Sequence, residues 1–232
     1  VRPQLGCVVG LEPARLPGGQ LRLSPSDWES EGVVEARQVE VTGFRLDRAE
    51  VTVDAWRRCE AAGRCAPLSP SGPQTSERGD RGNDEPLEPG VPVTGVDAEQ
   101  AATYCAFVGG RLPRFDELLF ASAGTEVRRF PWGPHGLVCR RAAFGLVDGP
   151  CATGATGPEL AGSRPDGASP DGVLDLVGNV AEWTREPDGT LRLFGGSFRS
   201  KVASQLKSWS SEPPRVGADV GFRCAYDLGP GQ

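Results

Sequence analysis

The chain has 232 residues, 38% of them hydrophobic, with a formal net charge of −6 and a pI near 5.0. That length suffices for one large domain with a real core, and the acidic balance argues against a nucleic-acid partner, because phosphate neutralisation needs a basic surface. No apolar run reaches the roughly 18 residues a membrane helix needs, so no transmembrane segment is expected, and 32 glycines with 21 prolines imply extensive turns and loops.

Residues 1–30 carry Pro3, Pro13, Pro17, Gly18, Gly19 and Pro25 with little periodicity. They read as an N-terminal arm or linker ahead of a domain spanning 31–232. The lack of Met, even at position 1, leads us to expect a start codon and a signal or anchor segment upstream. Between 32 and 45 the stretch Val33 to Val41 alternates well enough for a strand. Thr52 is placed to N-cap a helix from Val53 to about Ala62, with Trp56 in the core. A loop rich in Ser, Pro and Gly follows from Leu68 to Gly90, and its charges Asp80, Arg81, Asp84 and Glu85 read as solvated. Asp97 and Gln100 have capping-box spacing at the start of a second helix, whose buried face would hold Ala101, Tyr104, Cys105 and Val108. A third helix starts after Pro113 and contains Leu118, Leu119 and Ala121. Beyond Gly124 the pattern is turns and short strands, with no internal repeat.

Seven cysteines are present, and none lies between Cys151 and Cys224. With no C-x-x-C and a single histidine, a zinc or iron site built from Cys and His is not expected. Cys59 and Cys65 flank the end of the first helix, where a short bridge would pin the following loop, and Cys139 with Cys151 would close a small loop. Such usage points to an oxidising place: secreted, periplasmic or cell-surface. Cys7 is left over as a free thiol, an intermolecular partner or a lipid-bearing anchor residue.

An ordered series of motifs runs from about Val41 to Tyr226. It comprises Phe44-Arg45-Leu46-Asp47-Arg48-Ala49-Glu50-Val51-Thr52, Pro92-Val93, Ala101-Ala102-Thr103-Tyr104-Cys105 and Gly110-Arg111-Leu112-Pro113, then Phe130-Pro131-Trp132-Gly133, Leu176 to Trp183, Gly195-Gly196-Ser197-Phe198 and Gly221 to Ala225. In this order they resemble the formylglycine-generating enzyme, or sulfatase-modifying factor, domain. That resemblance implies an α+β, C-type-lectin-like fold, loop-rich and disulfide-braced, and it pairs Cys105 with Cys224. Where the family usually has Trp, Leu118 stands here.

The resemblance also states what to look for chemically. The family's oxidase turns a peptide cysteine into formylglycine with a copper ion held by two cysteines shortly after the Gly-Gly-Ser motif. The matching positions here are Ser200 and Gln205, neither a soft copper(I) ligand, so no copper is expected. A second branch uses non-haem iron held by histidines, whereas His135, the one histidine, sits in a turn motif. A structural Ca²⁺ is implied at Asp175, Gly178, Val180 and Glu182, two carboxylates and two carbonyls of the hard-oxygen kind calcium takes, the alternative being a locally capped turn. A second calcium position falls near Ala143 and Phe144, where Ala143 replaces an expected Asn.

The substrate groove of active relatives maps to Ser197, Phe198, Arg199, Ser200, Lys201 and Trp209, flanked by Arg223. Bases beside aromatics suit an acidic peptide, a carboxylate or a sugar, and the bland reading places the aromatics in the core. The sequence thus favours a non-catalytic binding or accessory module with a protein, peptide or glycan partner. The alternative is a copper-independent enzyme acting in oxidative maturation of a secreted peptide or natural product, with Tyr104 and Tyr226 as its available tyrosines.

Overall fold

A computed structural model describes residues 12–23, 36–68 and 88–229. Two ten-residue strands come first, β1 (Ala14–Leu23) and β2 (Arg37–Leu46), followed by helices α1 (Val53–Ala61), α2 (Ala98–Phe107) and α3 (Phe115–Ala123). Short strands close the chain: β3 (Ala181–Arg185), β4 (Leu191–Phe194), β5 (Ser211–Glu212), β6 (Val220–Gly221) and β7 (Ala225–Asp227). One sheet has the order β1-β2-β7 and the other β5-β4-β3-β6, in which only β3 and β6 run parallel. The loop-rich α+β class expected from the sequence is what forms.

Residues 14–23 are not a linker: they are an extended segment packed into the domain itself. They form an edge strand of the first sheet, pairing with the central strand β2 from Ala14 opposite Leu46 to Leu23 opposite Arg37. Leu16 and Leu21 are completely buried. The side-chain alternation changes phase midway: Ala14 and Leu16 face the core before Gly18, Leu21 and Leu23 after it, and β2 does the same across Gly43. Gly18, at φ +74°, brings its backbone so close to β2 that a Cβ would lie 2.3 Å from the Val41 carbonyl oxygen. This close crossing lets a strongly coiled ribbon keep both halves against the same core, packed on Leu118, Leu119 and Phe120 of α3.

The helices start where their caps dictate. Thr52 Oγ1 accepts from the Ala55 N–H, and Asp97 with Gln100 completes a reciprocal capping box. Trp56, Tyr104 and Phe222 meet in a second core cluster, with Trp56 and Tyr104 stacked at 5.8 Å. Val108, expected on the buried face of α2, is its exposed C-cap instead, because the helix ends one residue earlier. Three disulfides brace the loops: Cys59–Cys65, Cys105–Cys224 and Cys139–Cys151. Cys7, residues 24–30 and the 80–85 charges lie outside the described residues.

Candidate functional site

The Gly195-Gly196 pair threads the chain between two loops. A Cβ on Gly195 would lie 2.7 Å from the Leu176 carbonyl oxygen, and one on Gly196 would lie 2.5 Å from that of Gln205. Both residues have positive φ, so glycine is required twice over. The segment then closes into a turn in which the Ser197 N–H donates to Ser200 Oγ at 3.0 Å and the Ser200 N–H to the Ser197 carbonyl at 2.9 Å. Ser197 Oγ donates to Asp219 Oδ2 at 2.8 Å and accepts from the Arg199 N–H. Arg215 grips both oxygens of Asp219, at 2.7 and 3.0 Å. Burial pushes Asp219 upward, but its bonds to Arg215 and Ser197 outweigh that and hold its pKa below the usual carboxylate value.

This geometry corrects the expected groove. Phe198 is core, packed with Leu146 and Leu206, and Arg223 is fully buried. Ser197 and Ser200 are buried within their own turn, and Trp209 is half-buried against the first core cluster. Arg199 and Lys201 are exposed, and Lys201 pairs with Asp148 at 2.7 Å. The seven positions therefore do not line one surface; internal partners use most of their polar groups.

Of the four residues expected to hold calcium, Asp175 and Glu182 share one buried acidic cluster. Asp175 and Asn179 adopt positive φ in the loop before β3, and Gly178 between them has no room for a Cβ, which would lie 2.4 Å from the Ala143 carbonyl oxygen. That same carbonyl accepts from the Asn179 N–H, so at Ala143 it is committed to the backbone. Glu182, 1% exposed, takes a forked ion pair from Arg223 at 2.7 and 2.6 Å, and Arg223 also donates to the carbonyls of Asp47 and Leu174. Asp175 Oδ2 accepts from the Gly162 N–H at 2.5 Å.

A third acid, unassigned by the sequence, completes the cluster: Glu50, 3% exposed, whose Oε1 accepts from Asn179 Nδ2 at 3.1 Å. The charge of Asp175 acts on Glu50, whose Oε2 is buried without a partner among the described residues. Burial drives the pKa of all three carboxyls upward, with like charges adding to the rise at Glu50 and Glu182. Three buried carboxyls thus face one guanidinium. Among the described residues no three His, Cys, Asp or Glu side chains form a metal-binding group of their own; the expected set instead combines two carboxylates with two carbonyls.

The remaining candidates are structural. His135 is exposed in its turn, where its carbonyl accepts from Trp132 Nε1. Tyr104 is packed among Trp56, Phe107 and Phe222, and burial pushes its pKa up to about 12. The Tyr226 hydroxyl donates to Asp47 Oδ1 at 2.9 Å.

Residues 12–228 match the Sulfatase-modifying factor enzyme 1-like domain. The chain belongs to the sulfatase-modifying factor family. The match begins at the strand β1 and so agrees with the corrected domain limit. Among relatives in this family, hercynine oxygenase of Mycolicibacterium thermoresistibile is 32% identical over 66% of this chain and 37% of that protein. Inactive C-alpha-formylglycine-generating enzyme 2 of Bos taurus is 28% identical over 93% of this chain and 88% of that protein. This chain therefore spans well under half of the oxygenase and most of the inactive homologue. By structure, PvdO from Pseudomonas aeruginosa superposes with a TM-score of 0.70 at 19% identity, covering 94% of this chain and all of that one. Treponema denticola variable protein 1 gives 0.67 at 16% identity over 93% and 95% of the two chains. Both confirm the family fold.

Sequence reasoning missed Glu50, Asn179, Arg215 and Asp219. Glu50 stands inside one of the motifs that carry the family resemblance, which was its available signal. Asp219 and Arg215 gave none, since their partner Ser197 lies 22 residues from Asp219 in the chain.

Proposed function

We propose that this chain is a non-catalytic member of the sulfatase-modifying factor family, a recognition or accessory module for a protein, peptide or glycan, working in a secreted, periplasmic or cell-surface setting. The observation that carries the reading is the turn at Ser197–Ser200. Ser200 and Gln205 occupy the positions of the copper thiolates, six of the seven cysteines are in disulfides, and Ser200 Oγ serves the Ser197 N–H. Hydroxyl and amide groups do not replace soft thiolate ligands for copper(I). Strong overall likeness to a relative named as inactive supports the same reading, and three disulfides support the oxidising location.

A structural Ca²⁺ held by Asp175, Gly178, Val180 and Glu182 belongs to this proposal. Asp175 and Glu182 offer oxygens of the hard kind calcium takes, and each carboxylate oxygen already engaged retains a second lone pair. Calcium there would brace the loop that carries β3 and leave no chemistry to it.

The likeness to hercynine oxygenase favours a second reading, a copper-independent enzyme of the same fold. Incubating the protein with copper, oxygen and a cysteine-bearing sulfatase peptide tests whether the family's copper oxidase activity has been lost. No aldehyde product is expected, and catalytic aldehyde formation would overturn the proposal.

A further inference from the structure

The outer face of the first sheet holds an arrangement that folding alone does not favour. Arg15 of β1 and Arg45 of β2 are register partners, directly opposite each other, and both are exposed while their neighbours Ala14, Leu16, Phe44 and Leu46 are buried on the other face. Their side chains therefore leave the same face from Cβ atoms about 5 Å apart. Like charges opposed in this way are destabilising, and neither guanidinium has a carboxylate partner among the described residues.

The surrounding acids do not relieve the repulsion. Glu40, the one acid in either strand, stands five positions from Arg45 and opposite Gln20. Asp227 of β7 is bound by Arg111, and Asp47 accepts from the Tyr226 hydroxyl and the Cys224 N–H. Arg48, at the same end of the ribbon, donates to the carbonyls of Glu12, Asp171 and Gly172, so its positive charge also meets no carboxylate. Arg45 is held in place as well. Its guanidinium lies over the ring of Tyr226, its register partner on β7, with 5.5 Å from Cζ to the ring centroid, and the Tyr226 hydroxyl is tied to Asp47 at 2.9 Å. A guanidinium resting on an aromatic ring keeps its N–H groups for an oxyanion.

We infer that Arg15 and Arg45 clamp a phosphate group, one guanidinium from each strand donating to its oxygens. A carboxylate or a sulfate ester would neutralise one of the two opposed charges, whereas a phosphate monoester at neutral pH brings a charge of about −1.5 to −2 and three acceptor oxygens to two guanidinium forks. The chemistry is shared by the free phosphate dianion and by a small phosphate monoester. The site is independent of the non-catalytic reading above.

The test is an NMR titration at constant ionic strength and pH 7.5 with inorganic phosphate, glycerol phosphate and the singly charged methyl sulfate, following the backbone amides of Arg15, Arg45 and Tyr226. Saturable shifts are expected with phosphate, with methyl sulfate weaker by roughly tenfold or more. Arg15→Gln and Arg45→Gln should each weaken phosphate by a similar factor, and Arg22→Gln, at the far end of β1, should leave it unchanged. Without phosphate, Arg15→Gln should melt no lower than the parent, because it removes the repulsion. Tighter binding of glycerol phosphate than of inorganic phosphate assigns monoesters as the source; equal or weaker binding assigns the free ion. Methyl sulfate binding as tightly as phosphate, Arg22→Gln weakening phosphate as much as Arg15→Gln does, a lower melt for Arg15→Gln without phosphate, or no saturable shift would each overturn the inference.

Discussion

Arg223→Leu isolates the charge balance on which the interior depends. The Arg223 and Glu182 side chains are 0% and 1% exposed and joined by two short bonds. Removing the guanidinium leaves Glu182, Asp175 and Glu50 buried without a counter-cation and deprives the carbonyls of Asp47 and Leu174 of donors. Breaking a buried pair from one side costs about 3–5 kcal/mol, a large part of the total stability of a domain of this size. At about 2–4 °C per kcal/mol, the melting temperature should fall by roughly 6–20 °C. The assay is urea and thermal unfolding in chelator with disulfides intact, so that calcium does not enter the comparison. Arg223→Leu/Glu182→Leu should be less destabilised than Arg223→Leu, because the double variant no longer buries the orphaned Glu182 carboxylate. The reasoning fails if Arg223→Leu costs under about 1 kcal/mol, or if the double variant costs the sum of the two single ones.

Other expectations follow from the same residues. Asp219→Asn should cost about 1–2 kcal/mol at neutral pH, a modest value because Arg215 is 41% exposed and partly screened. The folded pKa of Asp219 lies below its ordinary value, so its contribution is present above the ordinary carboxylate range and is lost as pH falls through the depressed folded value; the difference between parent and Asp219→Asn unfolding curves should close there. Replacing Cys105 and Cys224, 119 residues apart, with alanine should cost on the order of 4–5 kcal/mol by chemical denaturation, and replacing Cys59 and Cys65, only six apart, should cost less. With free calcium at about 100 times its dissociation constant the parent should gain about 2.7 kcal/mol, roughly 5–11 °C in a thermal melt, relative to chelator. Gly178→Ala should lose that response, because its φ of +84° and the nearby Ala143 carbonyl oppose a Cβ.

What was legible in the sequence was largely local or carried by the family resemblance. Thr52, Asp97 and Gln100 act within one helical turn, so their caps could be read directly. β1 was hidden because Pro17-Gly18-Gly19 resembles a linker and because its alternation reverses phase at the crossing with β2. The groove failed for a different reason. Phe198 and Arg223 have the composition of a binding surface, but their burial is decided by Glu182, Leu146 and Leu206, partners that only the tertiary fold brings in. Asp175 and Glu182 were singled out by the family resemblance, whereas Glu50, 125 positions before Asp175, joins their buried cluster only through the fold.

Copper(I) affinity of the Cys7→Ser protein, measured by competition with a chelator of known affinity, tests the central claim most directly. That variant retains only the six disulfide-bonded cysteines. The account predicts no stoichiometric copper(I) binding, since the Ser200 and Gln205 positions supply no thiolate. One tightly bound equivalent would contradict it, and would mean that this fold builds a copper site from ligands other than the family's cysteine pair.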